Sequence, residues 1–172
     1  MWNSRGFTLL EVLLVATVAA VLAAVSMPMA LTAMRAYRLN GAARELSNEI
    51  AAMRLQAVTK NRAMRMRLNC PDAGMYRAVE WTGTGAIDTA GNRCLPTAYP
   101  FPDTDAATAP NADGALRYLP QGITFGALQE IQISTLGRVT AVTGALPAQI
   151  EVSDGTTIRR LRISAAGQVQ IQ

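Results

Sequence analysis

The sequence contains no histidine, a single lysine and only 5% aromatic residues. Without histidine, the chain lacks the commonest general base and the commonest zinc ligand, which excludes Ser-His-Asp and Cys-His catalytic sites. The few aromatic side chains argue against a platform on which nucleic acid bases stack. Lys60 is the single candidate amine nucleophile. These absences predict a protein that is not an enzyme and that carries no cofactor.

Two cysteines are also too few for a metal centre, because Cys and His together cannot supply four ligands here. If their domain lies outside the cytosol, Cys70 and Cys94 are expected to form a disulfide; otherwise they are two unpaired buried thiols. Asp103, Asp105 and Asp113 could suggest calcium, but their spacing lacks the EF-hand pattern. We therefore expect no metal and a solvated loop at these three aspartates.

Charge is unevenly distributed along the chain. Residues 35–67 hold eight basic and two acidic side chains, residues 68–158 hold four basic and nine acidic ones, and the last fourteen residues hold Arg159, Arg160 and Arg162 and no acid. A basic block can attract nucleic acid or anionic lipid, but more often it solvates the face of a helix. The acidic residues of the middle block are expected at a solvated surface.

A long apolar run from Phe7 to Met34 dominates the N-terminus. As a helix it would be roughly 42 Å long, enough to cross a bilayer core of about 30 Å. It is too long for the apolar core of a cleaved secretory signal. Glu11 lies inside this run, where a charge is costly and usually has a partner.

The residues around Glu11 resemble a known processing signal. Residues 6–11 read Gly-Phe-Thr-Leu-Leu-Glu, follow a short polar leader and precede the apolar run. They look like the type III signal of type IV pilins and type II secretion pseudopilins. The resemblance implies that a prepilin peptidase cuts after Gly6 and methylates the amine of Phe7. It also implies that Glu11 pairs with the Phe7 amine of a neighbouring subunit, and that Pro28 kinks the helix.

Beyond the apolar run, the sequence predicts an amphipathic helix followed by strands. Apolar residues recur at alternating steps of four and three, which places them on one helical stripe: Leu39, Ala43, Leu46, Ile50, Met53 and Ala57. From Ala63 the apolar period changes to two, which is typical of half-buried strands, and short strand-like runs continue to the C-terminus. Residues from about 82 to 115 are rich in Gly, Pro, Asp, Ala and Thr and predict a long exposed loop.

The predicted fold is therefore α+β, with a long N-terminal helix, transmembrane and then amphipathic, packed on a C-terminal antiparallel β-sheet or sandwich head. The segments are a cleaved leader (1–6), a transmembrane or filament-core half of the helix (7–34), an amphipathic half (35–61) and a β-rich head (62–172). Residues 54–61, 133–139 and 160–169 resemble the GspH/FimT group of minor pilins and pseudopilins.

That resemblance implies a structural subunit of a type IV pilus or of a type II secretion pseudopilus. Its expected partners are prepilin peptidase, other major and minor pilins or pseudopilins, and the bacterial inner membrane, crossed once with the head in the periplasm.

DNA uptake is the alternative function, because some members of the FimT group bind DNA through arginines near the C-terminus. Their last strand tends to carry a Gly-Arg-x-Arg pattern, whereas residues 167–170 here read Gly-Gln-Val-Gln. Arg159, Arg160 and Arg162 remain as candidate anion or DNA contacts one strand earlier. Arg160 and Arg162 would share one face, which we interpret as an ordinary solvated surface in preference to an anion patch.

Overall fold

The computed structural model describes residues 8–101 and 112–172. The predicted leader and cleavage site, with Gly6 and Phe7, and two candidate calcium ligands, Asp103 and Asp105, lie outside the described residues. The chain divides into two units, Met1–Tyr37 and Arg38–Gln172. We call them the N-terminal unit and the C-terminal unit.

Helix α1 runs from Leu9 to Thr59 and contributes to both units. In the N-terminal unit every described residue is exposed, and no tertiary core covers its apolar side chains. Within the described residues, α1 is the one helix long and apolar enough to cross a membrane. These side chains therefore need an apolar environment that comes from outside the chain.

In the C-terminal unit the same helix buries one stripe. All six residues of the predicted stripe, from Leu39 to Ala57, are at most 1% exposed, and Ala42 joins them. The prediction of an amphipathic half is thus confirmed for its core-facing side. Burying a side chain such as Leu46 or Ile50 stabilises a fold by about 1.5–3 kcal/mol.

Antiparallel strands pack on this stripe in two sheets. In chain order they are β1 (Met64–Leu68), β2 (Met75–Glu80), β3 (Arg117–Tyr118), β4 (Thr124–Leu128), β5 (Ile131–Ile133), β6 (Val139–Ala141), β7 (Ala148–Ser153), β8 (Ile158–Ile163) and β9 (Val169–Ile171). One sheet has the order β3-β2-β1-β5-β6 and the other has the order β4-β7-β8-β9. The strand alternation of the sequence accounts for most of these elements.

Helix and sheets share one hydrophobic core. Met66 on β1, for example, lies opposite Ala78 on β2 and Ile131 on β5, and all three are buried. The alternate residues Ile150 and Val152 of β7 and Leu161 of β8 close the core from the other sheet. The predicted α+β class is therefore confirmed, with both sheets present as a small sandwich against α1.

The long segment after β2 differs from its prediction. It contains a short helix, α2 (Gly85–Asp88), and it is not simply a solvated loop. Arg93, Cys94, Asp113 and Gly114 are buried. The expectation of a solvated, exposed segment is wrong for these residues, because Arg93 and Asp113 pair with each other and the Gly114 amide donates to the Ala78 carbonyl.

Candidate functional site

Glu11 lies in the first turn of α1, where the backbone shows how the helix starts. Thr8 Oγ1 accepts a hydrogen bond from the Glu11 amide at 3.3 Å, and the Thr8 carbonyl accepts bonds from the Glu11 and Val12 amides at 3.1 and 3.2 Å. Thr8 is thus the N-cap, and the Thr-x-x-Glu spacing is that of a capping box. The sequence contained this signal, but our sequence analysis missed it. Glu11 consequently sits where the helix dipole favours a negative charge.

The carboxylate of Glu11 is exposed among exposed apolar neighbours. It forms no ion pair with any residue that the structure describes. An unneutralised carboxylate in such a setting is costly in lipid, so a cation from outside the chain would stabilise it.

The hydroxyl side chains of the apolar segment donate hydrogen bonds to backbone carbonyls of their own helix. Thr17 donates to the Leu14 carbonyl at 2.8 Å, Ser26 to the Leu22 carbonyl at 2.7 Å, and Thr32 to the carbonyls of Met29 and Pro28 at 2.8 and 3.2 Å. Such back-bonding keeps hydroxyl groups paired where no water is available.

Pro28 lies inside the uninterrupted helix α1. Its ring removes one backbone N–H and crowds the carbonyl four residues earlier, which is the usual cause of a kink. The bend that we expect at Pro28 stays a prediction.

A disulfide and a buried arginine fix the start of the long segment to the sheet. Cys70 and Cys94 are joined, with their Cα atoms 5.7 Å apart. Arg77 on β2 is fully buried and donates to three backbone carbonyls, those of Gly114 at 2.7 Å, Cys94 at 3.3 Å and Tyr99 at 2.7 Å. Burial lowers the pKa of the Arg77 guanidinium, partly offset by Asp113. One side chain therefore ties together both described ends of the segment.

Arg93 and Asp113 form a second buried link. Their side chains are ion-paired through two hydrogen bonds, and Arg93 also donates to the Glu80 carbonyl at 2.9 Å. The Asp113 carboxylate accepts the Glu80 amide at 2.8 Å, and the Arg93 guanidinium lies 4.5 Å from the centroid of the Tyr99 ring. Asp113 is therefore committed to a buried ion pair, and the expectation that it is solvated is wrong.

No group of three or more His, Cys, Asp or Glu residues that could hold a metal ion occurs in residues 8–101 and 112–172. Of the three candidate calcium ligands, Asp113 is paired with Arg93, and the other two lie outside this part of the chain.

Sequence reasoning missed Arg77 and Arg93. The acidic composition of the middle block predicted that its charged residues are solvated. In β2, five of six residues are buried, so both faces of the strand are covered and the sequence does not alternate with a period of two. The one sequence cue was the position of Arg93 directly before Cys94, within the segment that the disulfide closes.

Tyr76 links the two sheets on the other side of β2. Its ring makes an edge-to-face contact with Phe125 of β4, with ring centroids 5.9 Å apart. Burial raises the pKa of the Tyr76 hydroxyl, and the neighbouring Glu45 and Glu49 of α1 raise it further. The phenol is thus neutral at physiological pH and acts as part of the core.

The three C-terminal arginines do not act as one cluster. Arg159 donates to the Asn40 side chain at 2.9 Å, and Arg160 is ion-paired with Glu151 at 2.6 Å. The hydrogen bond from Arg160 lowers the pKa of Glu151. The Arg162 side chain has no hydrogen bond or ion pair with any described residue, and its Nε is buried.

Two turns of similar sequence meet on Arg54 of α1. Residues 133–139 (Ile-Ser-Thr-Leu-Gly-Arg-Val) connect β5 to β6, and residues 163–169 (Ile-Ser-Ala-Ala-Gly-Gln-Val) connect β8 to β9. In both turns the glycine amide donates to the serine carbonyl, at 2.8 and 2.9 Å, and the glycine has positive φ. Arg54 Nε donates to the Gly137 carbonyl at 3.1 Å, and a Cβ on Gly167 would lie 2.9 Å from Arg54 Cδ.

Two protein-family models match the chain. A family model described as type II transport protein GspH matches residues 42–167. A model described as the prokaryotic N-terminal methylation motif matches residues 3–27. No curated protein matches the chain.

Among solved structures, the type IV minor pilin FimU of Pseudomonas aeruginosa is similar at 20% sequence identity and a TM-score of 0.47. That match covers 78% of this chain and 87% of FimU. The matches give no support to the DNA-binding alternative.

Proposed function

We propose that prepilin peptidase cleaves this chain, which belongs to the GspH family, between Gly6 and Phe7 and methylates the new amine. The chain is a minor pilin-like subunit of a type IV pilus or a type II secretion pseudopilus. The methylation motif over residues 3–27 includes both residues and supports this proposal. The family is structural, and processing is accordingly chemistry done to this chain by another protein.

The observation that carries the proposal further is the Glu11 carboxylate on an apolar helix, which has no ion pair with any residue in the described part of the chain. A methylated Phe7 amine on a neighbouring subunit would be a cation at the same depth of the apolar layer. Pairing the two would neutralise a charge that otherwise opposes transfer into lipid or into a packed bundle of helices. We propose that Glu11 forms this contact with other major and minor pilins or pseudopilins during assembly.

The protein is a membrane-anchored component of its pilus or pseudopilus. We further propose that residues 7–34 cross the bacterial inner membrane once and that the head, residues 62–172, lies in the periplasm. The Cys70–Cys94 disulfide supports that side of the membrane, because disulfides persist in oxidising compartments.

Processing is tested by measuring the intact mass and N-terminal residue of the protein purified from membranes of its native host. We expect a mature chain that begins with methylated Phe7. A chain that still begins with Met1, in cells whose prepilin peptidase is active, would overturn the proposal. Gly6→Leu is the control, and it should leave the leader in place.

Assembly is tested with Glu11→Val and a matched variant in the same segment, Thr17→Val. Both remove a polar group, but the Thr17 hydroxyl is already paired with its own helix. We expect Glu11→Val to be cleaved normally and to be lost from purified filaments, whereas Thr17→Val is incorporated. Equal incorporation of the two variants would rule out the proposed role of Glu11.

The machine is identified by deleting the chain and measuring surface pili and secreted proteins in the same cells. Loss of pili with intact secretion assigns it to a type IV pilus. The reverse result assigns it to a type II secretion pseudopilus.

A further inference from the structure

A pocket opens on the outer face of the four-stranded sheet, within the C-terminal unit. Its volume is about 370 Å³. Leu146, Pro147 and Ala165 give it an apolar side, and four polar residues line the rest: Arg162 and Ser164 of the β8 end, and Gln168 and Gln170 of the β9 hairpin. It is separate from the apolar segment and from Glu11, to which the assembly proposal refers.

Arg162 in this pocket is half-buried, as are Arg65 and Arg67, but it differs from them and from the buried Arg93 in its ion pairing. Arg65 and Arg67 are ion-paired with Glu130, and Arg93 is ion-paired with Asp113. The Nε atoms of all four arginines are buried without a hydrogen-bond partner, but of the four only the Arg162 side chain has neither a hydrogen bond nor an ion pair in the described part of the chain.

The cross-strand neighbours of Arg162 are neutral, Gln149 on β7 and Gln170 on β9. Its charge is therefore not neutralised by the residues beside it. A buried N–H without an acceptor is costly, so an acceptor that enters the pocket and bonds to the Arg162 guanidinium would offset that cost.

The chemistry of the pocket selects the ligand. One edge of a guanidinium, Nε–H with an Nη–H, matches the two oxygens of a carboxylate. The Ser164 hydroxyl and the amides of Gln168 and Gln170 are further donors. Leu146 and Pro147 offer apolar surface to a carbon chain attached to the carboxylate.

The surrounding charges favour a single carboxylate over a phosphate backbone. Arg160 is neutralised by Glu151, and Arg159 lies on the opposite face of β8, where it donates to Asn40, so neither supplies a second free cation to the pocket. A nucleic acid strand or a dianionic phosphate gains most of its affinity from several cations acting together. We propose that this pocket binds one carboxylate of a polypeptide, with an adjacent aliphatic group on Leu146 and Pro147.

Binding is tested with full-length protein in nonionic detergent, labelled with nitrogen-15. The probe is N-acetyl-leucine, and N-acetyl-leucinamide is the same molecule without the charge. We expect N-acetyl-leucine to shift the Arg162 Nε–H signal and the backbone amides of Gln168 and Gln170 in a saturable way, with a Kd on the order of 1–10 mM, as suits so small a ligand. The leucinamide should cause no saturable shift.

Arg162→Gln should weaken binding about tenfold or more, whereas Arg160→Gln, on the same strand and face, should leave it unchanged. Arg162→Lys keeps the charge but loses the planar edge and should give an intermediate loss. The comparison of N-acetyl-leucine with its amide needs no variant, so a variant that fails to fold does not end the test.

N-acetyl-leucyl-glutamic acid α-amide, which has its one carboxylate on the glutamate side chain, distinguishes the two polypeptide sources. Tighter binding of this probe indicates an acidic side chain as the natural ligand, and tighter binding of N-acetyl-leucine indicates a chain terminus.

The proposal is overturned if the leucinamide binds equally or Arg160→Gln weakens binding as much as Arg162→Gln. Tighter binding of inorganic phosphate or a short single-stranded DNA also overturns it, as does an absence of saturable shifts up to about 50 mM, where a Kd in this range would be evident. The result does not depend on leader cleavage or on Glu11, so it is independent of the proposed assembly.

Discussion

The two units of this chain satisfy their side chains in opposite ways. From Leu9 to Tyr37 every side chain is exposed, and the few hydroxyls bond back to the same helix. From Arg38 onward, apolar side chains are buried together, and even fully buried charges such as Arg77 and Arg93 find partners inside the protein. The stability of the C-terminal unit is thus intrinsic to the chain. The apolar side chains of the N-terminal unit have no such core within the described residues, and an apolar environment would have to come from elsewhere.

The sharpest test of this contrast is the buried ion pair. Asp113→Ala leaves the Arg93 guanidinium buried without its carboxylate, which should lower the free energy of unfolding of the C-terminal unit by about 3–5 kcal/mol. Denaturant unfolding of the protein in detergent measures it. Asp72→Ala, an exposed aspartate of the same unit, is the matched control and should change stability by less than about 0.5 kcal/mol. Similar losses in both variants would contradict the assignment of Asp113 to a buried pair.

The same helix supplies a direct comparison of its two parts. Leu46→Ala removes a side chain that is 0% exposed and should destabilise the C-terminal unit by about 2–5 kcal/mol. Leu14→Ala removes the same atoms from a side chain that is 58% exposed, and it should leave that unfolding transition unchanged. A shift of the transition by Leu14→Ala would show that the N-terminal unit takes part in the same cooperative fold.

The disulfide should contribute to the free energy of unfolding by an amount between the effects expected for Leu46→Ala and Leu14→Ala. Cys70 and Cys94 are 24 residues apart, and closing a loop of that length stabilises a fold by roughly 3 kcal/mol in the chain-entropy model. We expect reductant to lower the unfolding midpoint of the native protein and to leave a Cys70→Ser/Cys94→Ser variant unchanged. A native midpoint that does not respond to complete reduction would disprove this contribution.

The smallest expected effect on the free energy of unfolding comes from the ion pair between Glu151 of β7 and Arg160 of β8. Because the pKa of Glu151 is lowered in the folded protein, its contribution is present above the unfolded pKa of about 4.5 and is lost as pH falls through the folded pKa. Half of the Arg160 side chain is exposed, so this contribution should stay below about 1 kcal/mol. The stability difference between native protein and Glu151→Gln should be measurable at pH 7 and should shrink as the pH falls below about 4.5. A difference that grows on acidification would have the wrong sign.

Sequence patterns predicted the parts of this structure that repeat. The buried stripe from Leu39 to Ala57 follows from steps of three and four, and Met64, Met66 and Leu68 are buried in alternation as the period of two predicts. What sequence could not supply were contacts between distant positions. Arg77 meets Gly114 across 37 residues, and Arg93 meets Asp113 across 20. Each of these side chains is ordinarily solvated, and only the folded arrangement gives it a partner.

The same distinction between local patterns and distant contacts applies to the candidate functional residues. The signal around Glu11 is local, so six consecutive residues were enough to indicate it. Arg162, by contrast, was grouped with Arg159 and Arg160 because they are adjacent in sequence. The different fates of the three depend on which residues of α1 and β7 lie opposite them, Asn40 and Glu151.

The meeting of two turns on Arg54 also constrains how this sequence can vary. Gly137 and Gly167 are restricted twice, by positive φ and by the space that Arg54 already fills. Three positions in separate parts of the chain are therefore expected to change together. In a library that randomises residues 137 and 167, glycine should be recovered almost alone while Arg54 is kept. Asparagine, which tolerates positive φ, should become acceptable at residue 167 once residue 54 is alanine, whereas a Cβ at residue 137 would still lie 3.1 Å from Val58 Cγ2.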